Sequence, residues 1–438
     1  MKPVVAIVGR PNVGKSTLYN RLVGRQSAIV SDIAGTTRDR VISEVEWGDR
    51  TFILVDTGGL DLFPETDLWR QVKAQIDLAI ADADVIIMLV DAATGATAAD
   101  ADAADLLRRT VKPVVLAANK SDNQERSFSA VEFYELGLGD PTPISAYHNI
   151  GVDDLMTRVV DLFPEGIEAP EPEADLKLAI VGRTNVGKSA LLNAITDSDR
   201  AIVSPVPGTT RDTLDTLVQR GDRSVLLIDT AGIRRRGKIG LGIEHYSVLR
   251  SLRAIDRADV AIVLTDASEL GTSQDAHVAS YVLEAYKGLV LAVNKWDLAK
   301  KVELTREKAT DIIRTRFAFA RYAPICFTSA LRQTGLDGLL DTAEAVYSEW
   351  TKSVPRYDLS RTVMNAVSEP PPSPMGGRSL RIYSVSQDQT GPPTFTFYVN
   401  RSDMVHFSYR RYLENRIRAA YDFKGSPLRM HFKGRGES

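Results

Sequence analysis

The sequence predicts two tandem α/β domains, each with a mostly parallel sheet and helices on both faces, followed by a small α+β domain. Three observations support this fold class. One set of motifs occurs twice along the 438 residues. Apolar runs rich in Val, Ile and Leu alternate with helical stretches, as in parallel sheets covered on both faces. The composition then changes, because residues 353–438 hold 13 basic and 7 acidic side chains in a chain of net charge −3.

The repeat is a duplication of a whole domain. The string GRPNVGKST at Gly9–Thr17 returns as GRTNVGKSA at Gly182–Ala190. Further shared strings follow in the same order: AIVSDIAGTTRD and AIVSPVPGTTRD at Ala28–Asp39 and Ala201–Asp212, LVDTGGL and LIDTAGI at Leu54–Leu60 and Leu227–Ile233, and N-K-x-D at Asn119–Asp122 and Asn294–Asp297. We therefore predict a first domain at residues 1–166, an acidic linker rich in Pro and Glu at 167–175, a second domain at 176–351 and a basic domain at 352–438.

The strands of each α/β domain are predicted from short apolar runs. The runs are Val4–Val8, Phe52–Val55, Val85–Val90 and Val114–Ala118 in the first domain, and Leu178–Val181, Val225–Ile228, Val260–Thr265 and Leu289–Val293 in the second. The shared motifs fall where these runs end. Ligands of open α/β sheets bind at that edge, so we expect one site in each domain.

The loops at Gly9 and Gly182 match G-x-x-x-x-G-K-[ST], in which backbone N–H groups surround phosphates. Each follows an apolar run and precedes a segment that can be helical, starting near Ser16 and Ser189. The Lys supplies charge to the outer phosphates, and the Ser hydroxyl holds Mg²⁺. The predicted phosphate-loop residues are Gly9, Arg10, Pro11, Asn12, Val13, Gly14, Lys15 and Ser16, and Gly182, Arg183, Thr184, Asn185, Val186, Gly187, Lys188 and Ser189.

Two further motifs are predicted to contact the γ-phosphate and Mg²⁺. In D-T-x-G the Asp can hold Mg²⁺ through water, and the last Gly can donate its N–H to the γ-phosphate. These residues are Asp56, Thr57, Gly58, Gly59 and Leu60, and Asp229, Thr230, Ala231, Gly232 and Ile233. In G-T-T-R-D the second Thr, Thr37 or Thr210, is the candidate γ-phosphate sensor. The preceding Thr36 and Thr209 remain the alternatives.

The N-K-x-D motif indicates which base is bound. A carboxylate accepts two hydrogen bonds from the N1–H and amine of guanine, whereas adenine would leave it unpaired. The predicted base-site residues are Asn119, Lys120, Ser121 and Asp122, and Asn294, Lys295, Trp296 and Asp297. Ser145–Ala146 and Ser329–Ala330 fit the backbone segment that touches the guanine oxygen, although a Ser-Ala pair is weak evidence alone.

With these motifs in order, the chain resembles the Der (EngA, double Era-like) family of bacterial ribosome-assembly GTPases over essentially its whole length. The strings RRRGK at Arg234–Lys238, NKWD, PPTFTFYVN and YRRYLENRIR also match. The resemblance implies GTP hydrolysis to GDP at two sites with Mg²⁺, and a nucleotide switch in biogenesis of the large ribosomal subunit. It implies contact with that subunit and its rRNA, and a KH-like C-terminal fold.

The hydrolytic step lacks the Gln that Ras-type GTPases place after D-x-x-G. Leu60 and Ile233 occupy that position, and neither side chain can bind water. The resemblance suggests a bound K⁺ instead, held by Asn12 and Asn185. The predicted metal ligands are thus Ser16, Thr37, Asp56 and Asn12, and Ser189, Thr210, Asp229 and Asn185. The predicted catalytic residues are Lys15, Thr37 and Gly59, and Lys188, Thr210 and Gly232.

The basic domain is predicted to contain strands in LRIYSVSQ, TFTFYV and LRMHFKGR, with an amphipathic helix at Arg410–Ala420. It lacks the G-x-x-G loop with which KH domains hold single strands. Its basic side chains are candidates for contact with rRNA phosphates: Arg410, Arg411, Arg416, Arg418, Lys424, Arg429, Lys433 and Arg435.

Other functions fit less well. An ATPase or P-loop kinase disagrees with the N-K-x-D motifs, and a tRNA-modification GTPase would carry a catalytic Cys after its single G domain. A module that binds nucleotide without hydrolysis stays open. The lone Cys326 lies in an apolar run and is expected to be buried. Without a signal peptide or an apolar stretch of membrane-helix length, the sequence predicts a cytoplasmic protein, which we expect to be monomeric.

Overall fold

The computed structural model describes residues 2–24, 42–58, 68–164, 174–197, 202–206, 215–228, 246–368 and 380–434. The chain divides into two compact units. The first comprises Met1–Ile167 with Gly240–Leu249, and the second comprises Glu168–Ile239 with Arg250–Ser438. Among the described residues, none of the helices combines the length and apolar character that a bilayer span requires.

The first unit contains an α/β domain built as predicted. Its described strands are β1 (Val4–Val8), β2 (Ile42–Trp47), β3 (Arg50–Asp56), β4 (Val85–Asp91), β5 (Val114–Asn119) and β6 (Thr142–Pro143). Its described α-helices are α1 (Lys15–Gly24), α2 (Leu68–Asp82), α3 (Ala98–Leu107), α4 (Gln124–Ser129) and α5 (Val152–Asp161), and a 3₁₀ helix spans Ala130–Leu136.

The sheet of this domain has the order β2-β3-β1-β4-β5-β6 within the described residues. Strands β1 and β3 to β6 run parallel, and β2 pairs antiparallel with β3. The central strands β1 and β4 are buried along their whole length, which explains their unbroken apolar composition. The sheet brings the ends of β1, β3, β4 and β5 to one edge, where the predicted motifs begin.

The second unit begins with a matching α/β domain. Its described strands are β7 (Leu176–Val181), β8 (Ile202–Val206), β9 (Asp215–Arg220), β10 (Arg223–Ile228), β11 (Val260–Asp266), β12 (Gly288–Asn294) and β13 (Ile325–Phe327). The described α-helices are α6 (Lys188–Thr196), α7 (Tyr246–Arg257), α8 (Ser273–Glu284), α9 (Arg306–Arg316) and α10 (Leu336–Trp350), with 3₁₀ turns at Trp296–Val302 and Ala318–Ala320. Of α7, only the part from Arg250 onward belongs to this unit. The sheet order is β13-β12-β11-β7-β10-β9-β8. It is parallel except at the hairpins of β8 to β10.

The basic C-terminal region forms a small α+β domain, as the sequence predicts. It contains α11 (Arg356–Ser368), β14 (Ile382–Gln389), β15 (Thr394–Val399), a 3₁₀ turn at Ser402–Met404, α12 (Phe407–Tyr421) and β16 (Arg429–Gly434). The sheet order is β14-β15-β16, with β15 antiparallel to β14 and parallel to β16. Alternate residues of β15, including Phe395 and Phe397, point into a core with Leu413 and Ile417 of α12.

Candidate nucleotide-binding sites

The loop after β1 curls tightly because of its two outer glycines. Gly9 and Gly14 have φ angles of 147° and 99°, outside the range that side chains favour. A Cβ on Gly14 would lie 2.3 Å from the Asn119 amide nitrogen. The phosphate loop and the N-K-x-D motif are therefore in direct contact, and only glycine leaves room for it.

Lys15 is held over this loop. Its ammonium donates hydrogen bonds to the carbonyl oxygens of Gly9 at 2.7 Å and Arg10 at 2.9 Å. Burial lowers the pKa of Lys15 to about 8, although the nearby Asp56 carboxylate acts in the opposite direction. In the second domain Lys188 makes the same two contacts, with Gly182 and Arg183.

The predicted Mg²⁺ ligands of the first domain lie side by side. The Ser16 hydroxyl donates to Asp56 Oδ2 at 2.6 Å, and Asp56 Oδ1 accepts the Gly58 N–H at 2.9 Å. A hydroxyl and one carboxylate are the hard oxygen donors that Mg²⁺ prefers beside phosphates, so these residues fit the ion. No cluster of three or more His, Cys, Asp or Glu side chains suited to a metal occurs in the described part of the chain.

Thr57 differs from its neighbours in the D-T-x-G motif. Its side chain is fully buried, and its hydroxyl donates to the Ile7 carbonyl of β1 at 2.6 Å. That side chain therefore ties β3 to β1, and only its backbone remains a candidate for nucleotide contact.

Asn119 and Asn294 connect three motifs in the same way. The Asn119 amide donates to Val13 O at 2.8 Å and accepts the Ala146 N–H at 2.9 Å. The Asn294 amide makes the matching contacts with Val186 O at 2.9 Å and the Ala330 N–H at 3.1 Å. Each Asn thus joins the phosphate loop to the Ser-Ala segment, which gives that weak sequence signal a structural context.

The candidate base-reading carboxylates are also held alike. The Asp122 carboxylate accepts the Ser145 hydroxyl at 2.7 Å, and Asp297 accepts the Ser329 hydroxyl. Asp122 additionally pairs with Arg126 at 3.1 Å, an ion pair that is exposed to solvent. Ser145 and Ser329 therefore orient a carboxylate, in addition to the backbone contact that the sequence suggests.

The sequence did not indicate a role for two sets of acidic residues that occupy equivalent positions in the two domains. Lys120 pairs with Asp91 at the end of β4 at 2.6 Å, and Lys295 pairs with Asp266 at the end of β11 at 2.7 Å. Burial opposes ionisation of Asp266, but hydrogen bonds from Lys295 and Ser268 outweigh it and lower its pKa. Both Asp residues follow matching apolar runs in the two repeats, and that repetition was the available signal.

The second pair anchors the Arg of each phosphate loop. Asp100 and Asp275 are the third residues of α3 and α8, where each closes a capping box with a Thr. The Nε of Arg10 lies 3.3 Å from Asp100, and the Nε of Arg183 lies 3.6 Å from Asp275. Burial raises the pKa of the Asp275 carboxyl, against hydrogen bonds from Thr272. These contacts brace the first half of each loop against a helix start.

Asn12 and Asn185 are exposed at the tip of each loop, with left-handed φ angles of 67° and 62°. Asn tolerates this backbone region better than most residues, so the motif has a conformational reason for Asn in addition to the predicted K⁺ contact. Several predicted residues lie outside the described part of the chain: Thr36, Thr37, Gly59, Leu60, Thr209, Thr210, Asp229, Thr230, Ala231, Gly232, Ile233, the stretch Arg234–Lys238 and Arg435.

Comparison with known proteins finds the same organisation. A family model described as a 50S ribosome-binding GTPase matches residues 4–120 and again 177–295. A second model, described as the KH-domain-like C-terminal part of EngA bacterial GTPase enzymes, matches residues 354–433.

Full-length relatives are similar over the whole chain. A protein named GTPase Der from Chloroflexus aggregans is 51% identical over 442 residues, covering 99% of this chain and 98% of that protein. GTPase Der from Thermomicrobium roseum is 50% identical over 446 residues, covering 100% and 97%. GTPase Der from Moorella thermoacetica is 48% identical over 432 residues, covering 99% and 98%.

Proposed function

The chain belongs to the Der family of GTPases and hydrolyses GTP, and we propose that it does so at two sites, one in each α/β domain. The two sites would act as a switch in biogenesis of the large ribosomal subunit. The observation that carries this proposal is the repetition of one geometry, in which Asn119 and Asn294 each join a phosphate loop to a Ser-Ala segment.

Binding in each domain follows from groups already in position. The loop N–H groups at the start of α1 and α6 face the phosphates, where a helix N-terminus favours an anion. Protonated Lys15 and Lys188 leave the loop carbonyls to neutralise the β- and γ-phosphates. Asp122 and Asp297, oriented by Ser145 and Ser329, accept the guanine N1–H and amine. Because adenine would leave these carboxylates unpaired, the sites select guanine.

Mg²⁺ would be held by Ser16 and Asp56 in the first domain, and Ser189 would serve in the second. When bound, the ion would neutralise negative charge on the phosphates. Asp229 in the second domain, and Thr37 and Thr210 in their own domains, complete the proposed Mg²⁺ ligand sets. The Gly59 and Gly232 N–H groups are proposed to meet the γ-phosphate.

K⁺ is proposed as the further charge at each site, since Leu60 and Ile233 cannot orient water. The amide oxygens of Asn12 and Asn185 are neutral hard donors on exposed loop tips, which suits a monovalent ion. When bound, the ion would add positive charge where negative charge develops in the transition state.

The C-terminal domain is proposed to contact rRNA through the exposed face of β15 and β16 in its sheet. Lys433 of β16 is paired in register with Tyr398 of β15, and both are exposed. A basic side chain can bind a phosphate, and an aromatic ring beside it can stack on the nucleobase. Burial lowers the pKa of His431, and the positive charges of Arg429, Arg410 and Lys433 add to that effect. Three basic side chains therefore surround His431, with Asp388 acting in the opposite direction, although the chain as a whole is acidic.

Arg418 does not support the predicted phosphate contact. Its guanidinium donates to the carbonyl oxygens of Phe423 at 3.0 Å and Ser426 at 2.9 Å, and it pairs with Glu414. Because these contacts within the protein occupy the N–H donors of its guanidinium, we leave Arg418 out of the proposed RNA surface. We further propose that the protein acts as a monomer in the cytoplasm, where ribosomal subunits assemble.

Pelleting with purified ribosomal subunits tests this function. The full chain should pellet with the large subunit more strongly with a non-hydrolysable GTP analogue than with GDP, and less as salt is added. Lys433→Glu should weaken pelleting, whereas Lys308→Glu, an exposed charge reversal on α9, should not. Pelleting that is independent of nucleotide, or confined to the small subunit, would contradict the proposal.

A further inference from the structure

We propose that Gly425 of the C-terminal domain is a positioning residue of the second GTP site. It holds the starts of the two strands that lead to Asn294 and to Ser329–Ala330. This inference rests on the base-reading role proposed above for the second N-K-x-D motif.

Gly425 bridges two segments of the second α/β domain by its own backbone. Its carbonyl oxygen accepts the Leu289 N–H at 2.7 Å, and its N–H donates to the Tyr322 carbonyl at 2.9 Å. Leu289 is the second residue of β12, and Tyr322 lies three residues before β13. The next contact along the two segments is Leu291 N–H to Pro324 O at 3.0 Å. Gly425 therefore adds one rung to the sheet where β12 and β13 have not yet paired.

The position accepts only glycine. Gly425 has a φ of +74°, and a Cβ there would lie 2.4 Å from the Cγ2 of Val346 and 3.1 Å from the Leu289 carbonyl oxygen. Val346 belongs to α10 and is buried in the core of the second α/β domain. Any side chain at this position would push the C-terminal domain away from β12.

Arg418 fixes the loop that carries Gly425. Its two carbonyl contacts lie on either side of Gly425, at Phe423 and Ser426. The same guanidinium stacks on the Tyr322 ring, 3.8 Å from its centroid. A second contact closes the junction nearby, where Arg429 of the C-terminal domain lies over the Tyr286 ring. Within the second α/β domain, the Trp350 indole donates to the Tyr286 carbonyl at 2.8 Å.

A stiff path connects this junction to the base site. Strand β12 is fully buried and pairs with β11 in register from Gly288 to Asn294. Its seven residues span about 20 Å at the usual rise of a parallel strand. At its far end Asn294 touches both the phosphate loop and Ala330. A shift of Leu289 is therefore carried to the residues that face the nucleotide, because packed strands move as units.

The test measures GDP and IDP affinity in the full chain carrying Asp122→Asn, so that guanine binding reports on the second site. Gly425→Ala should lower GDP affinity about tenfold, within the range usual for coupled sites. It should also reduce the preference for GDP over IDP, which lacks the 2-amine. Adding Val346→Ala removes the methyl groups that the new Cβ meets and should restore part of both.

The matched control is Gly221→Ala. Gly221 also has a positive φ, +60°, but no atom lies within 4 Å of its Cβ position, so this change adds backbone strain without a clash. Asp297→Asn is the positive control for base reading. If Asp297→Asn leaves the GDP preference unchanged, the proposed base-reading role fails. If Asp297→Asn removes the preference and a folded Gly425→Ala retains it, the inference about Gly425 alone fails.

A uniform loss of affinity for GDP and IDP, with their ratio unchanged, would show a purely structural role and overturn the proposal. If Gly425→Ala does not fold, Arg418→Lys decides the matter, because it keeps the charge but loses the flat stack on Tyr322. It should shift the GDP to IDP ratio in the same direction by a smaller factor, and an unchanged ratio would overturn the proposal.

Discussion

The two α/β domains are alike at the nucleotide edge of the sheet and different at the opposite edge. Eight residues before the Asn of each N-K-x-D motif, the first domain has Val111 and the second has Tyr286. Val111 is 97% exposed, whereas Tyr286 is half-buried and its ring lies beneath Arg429 of the C-terminal domain. Duplication therefore preserved the chemistry of the site and changed what the sheet is attached to. One copy is thus tied to a neighbouring domain, while Asn119 and Asn294 make the same contacts in both.

Substituting the Asp of each N-K-x-D motif tests whether the two sites bind the same base. Asp122→Asn or Asp297→Asn replaces the carboxylate that accepts two guanine hydrogen bonds. GTP affinity should fall at least about 100-fold in the mutated domain. Xanthine nucleotide should bind there, since its 2-oxygen can accept a hydrogen bond from the new Asn amide. Titration with labelled GDP and XDP measures both. Equal competition by ATP and GTP in the wild-type protein would refute guanine reading.

Ion dependence should be equal in the two domains. Hydrolysis should be at least about tenfold faster in KCl than in NaCl, because K⁺ held by Asn12 or Asn185 would stabilise the negative charge of the transition state. Asn12→Gly and Asn185→Gly should each abolish this dependence in its own domain while sparing GDP binding.

Glycine is the informative replacement at these positions, since it accepts the left-handed backbone and lacks the amide oxygen. Asn12→Ala adds strain and serves as the comparison. Phosphate release at matched ionic strength measures the effect. Equal hydrolysis rates in KCl and NaCl would show that K⁺ has no role in hydrolysis.

The pH dependence of the first site should follow Lys15, whose pKa is lowered to about 8 by burial. Only the ammonium form neutralises phosphate, so nucleotide binding raises this pKa and takes up a proton above pH 8. GDP affinity should therefore fall as pH rises from 8 to 9, by at most about tenfold for one proton. Titrations with Asp297→Asn isolate the first site, and a flat profile between pH 7 and 9 would contradict this.

The smallest effect concerns Arg126, which occupies one oxygen of Asp122. Arg126→Ala frees that oxygen for guanine and should raise GDP affinity of the first site by no more than about fivefold, since exposed pairs contribute about 1 kcal/mol or less. Calorimetry at low salt measures it, with Lys308→Ala as a distant control. A clear loss of affinity would instead make Arg126 part of the nucleotide site.

Local signals predicted the frame of both domains. Buried parallel strands such as β4 and β11 are unbroken apolar runs, and the tight loop at Gly9–Gly14 leaves a fixed glycine spacing. The confirmed helix α12 likewise follows from its amphipathic pattern at Arg410–Ala420. These features depend on residues close together in the chain, so they can be predicted from a single sequence.

The missed features depend on residues distant in sequence. Gly425 meets Leu289 across 136 positions, and no local pattern marks such a contact. We predicted that Arg418 contacts rRNA because basic residues on a helix usually face solvent. In the structure its guanidinium packs on the Tyr322 ring instead. Asp91 and Asp266 could have been identified from the sequence, because both end matching apolar runs in the two repeats. An Asp at the end of a strand does not by itself identify its Lys partner.

Hydrogen exchange tests most directly whether the second site and the C-terminal domain respond as one unit. In the full chain carrying Asp122→Asn, GDP occupies only the second site. We expect GDP to slow amide exchange in peptides covering residues 286–292 and 421–428, where the Leu289 and Gly425 N–H groups are bonded, and to leave exchange at 111–117 unchanged. Protection confined to the nucleotide motifs, with exchange at 421–428 unaltered by GDP, would contradict it.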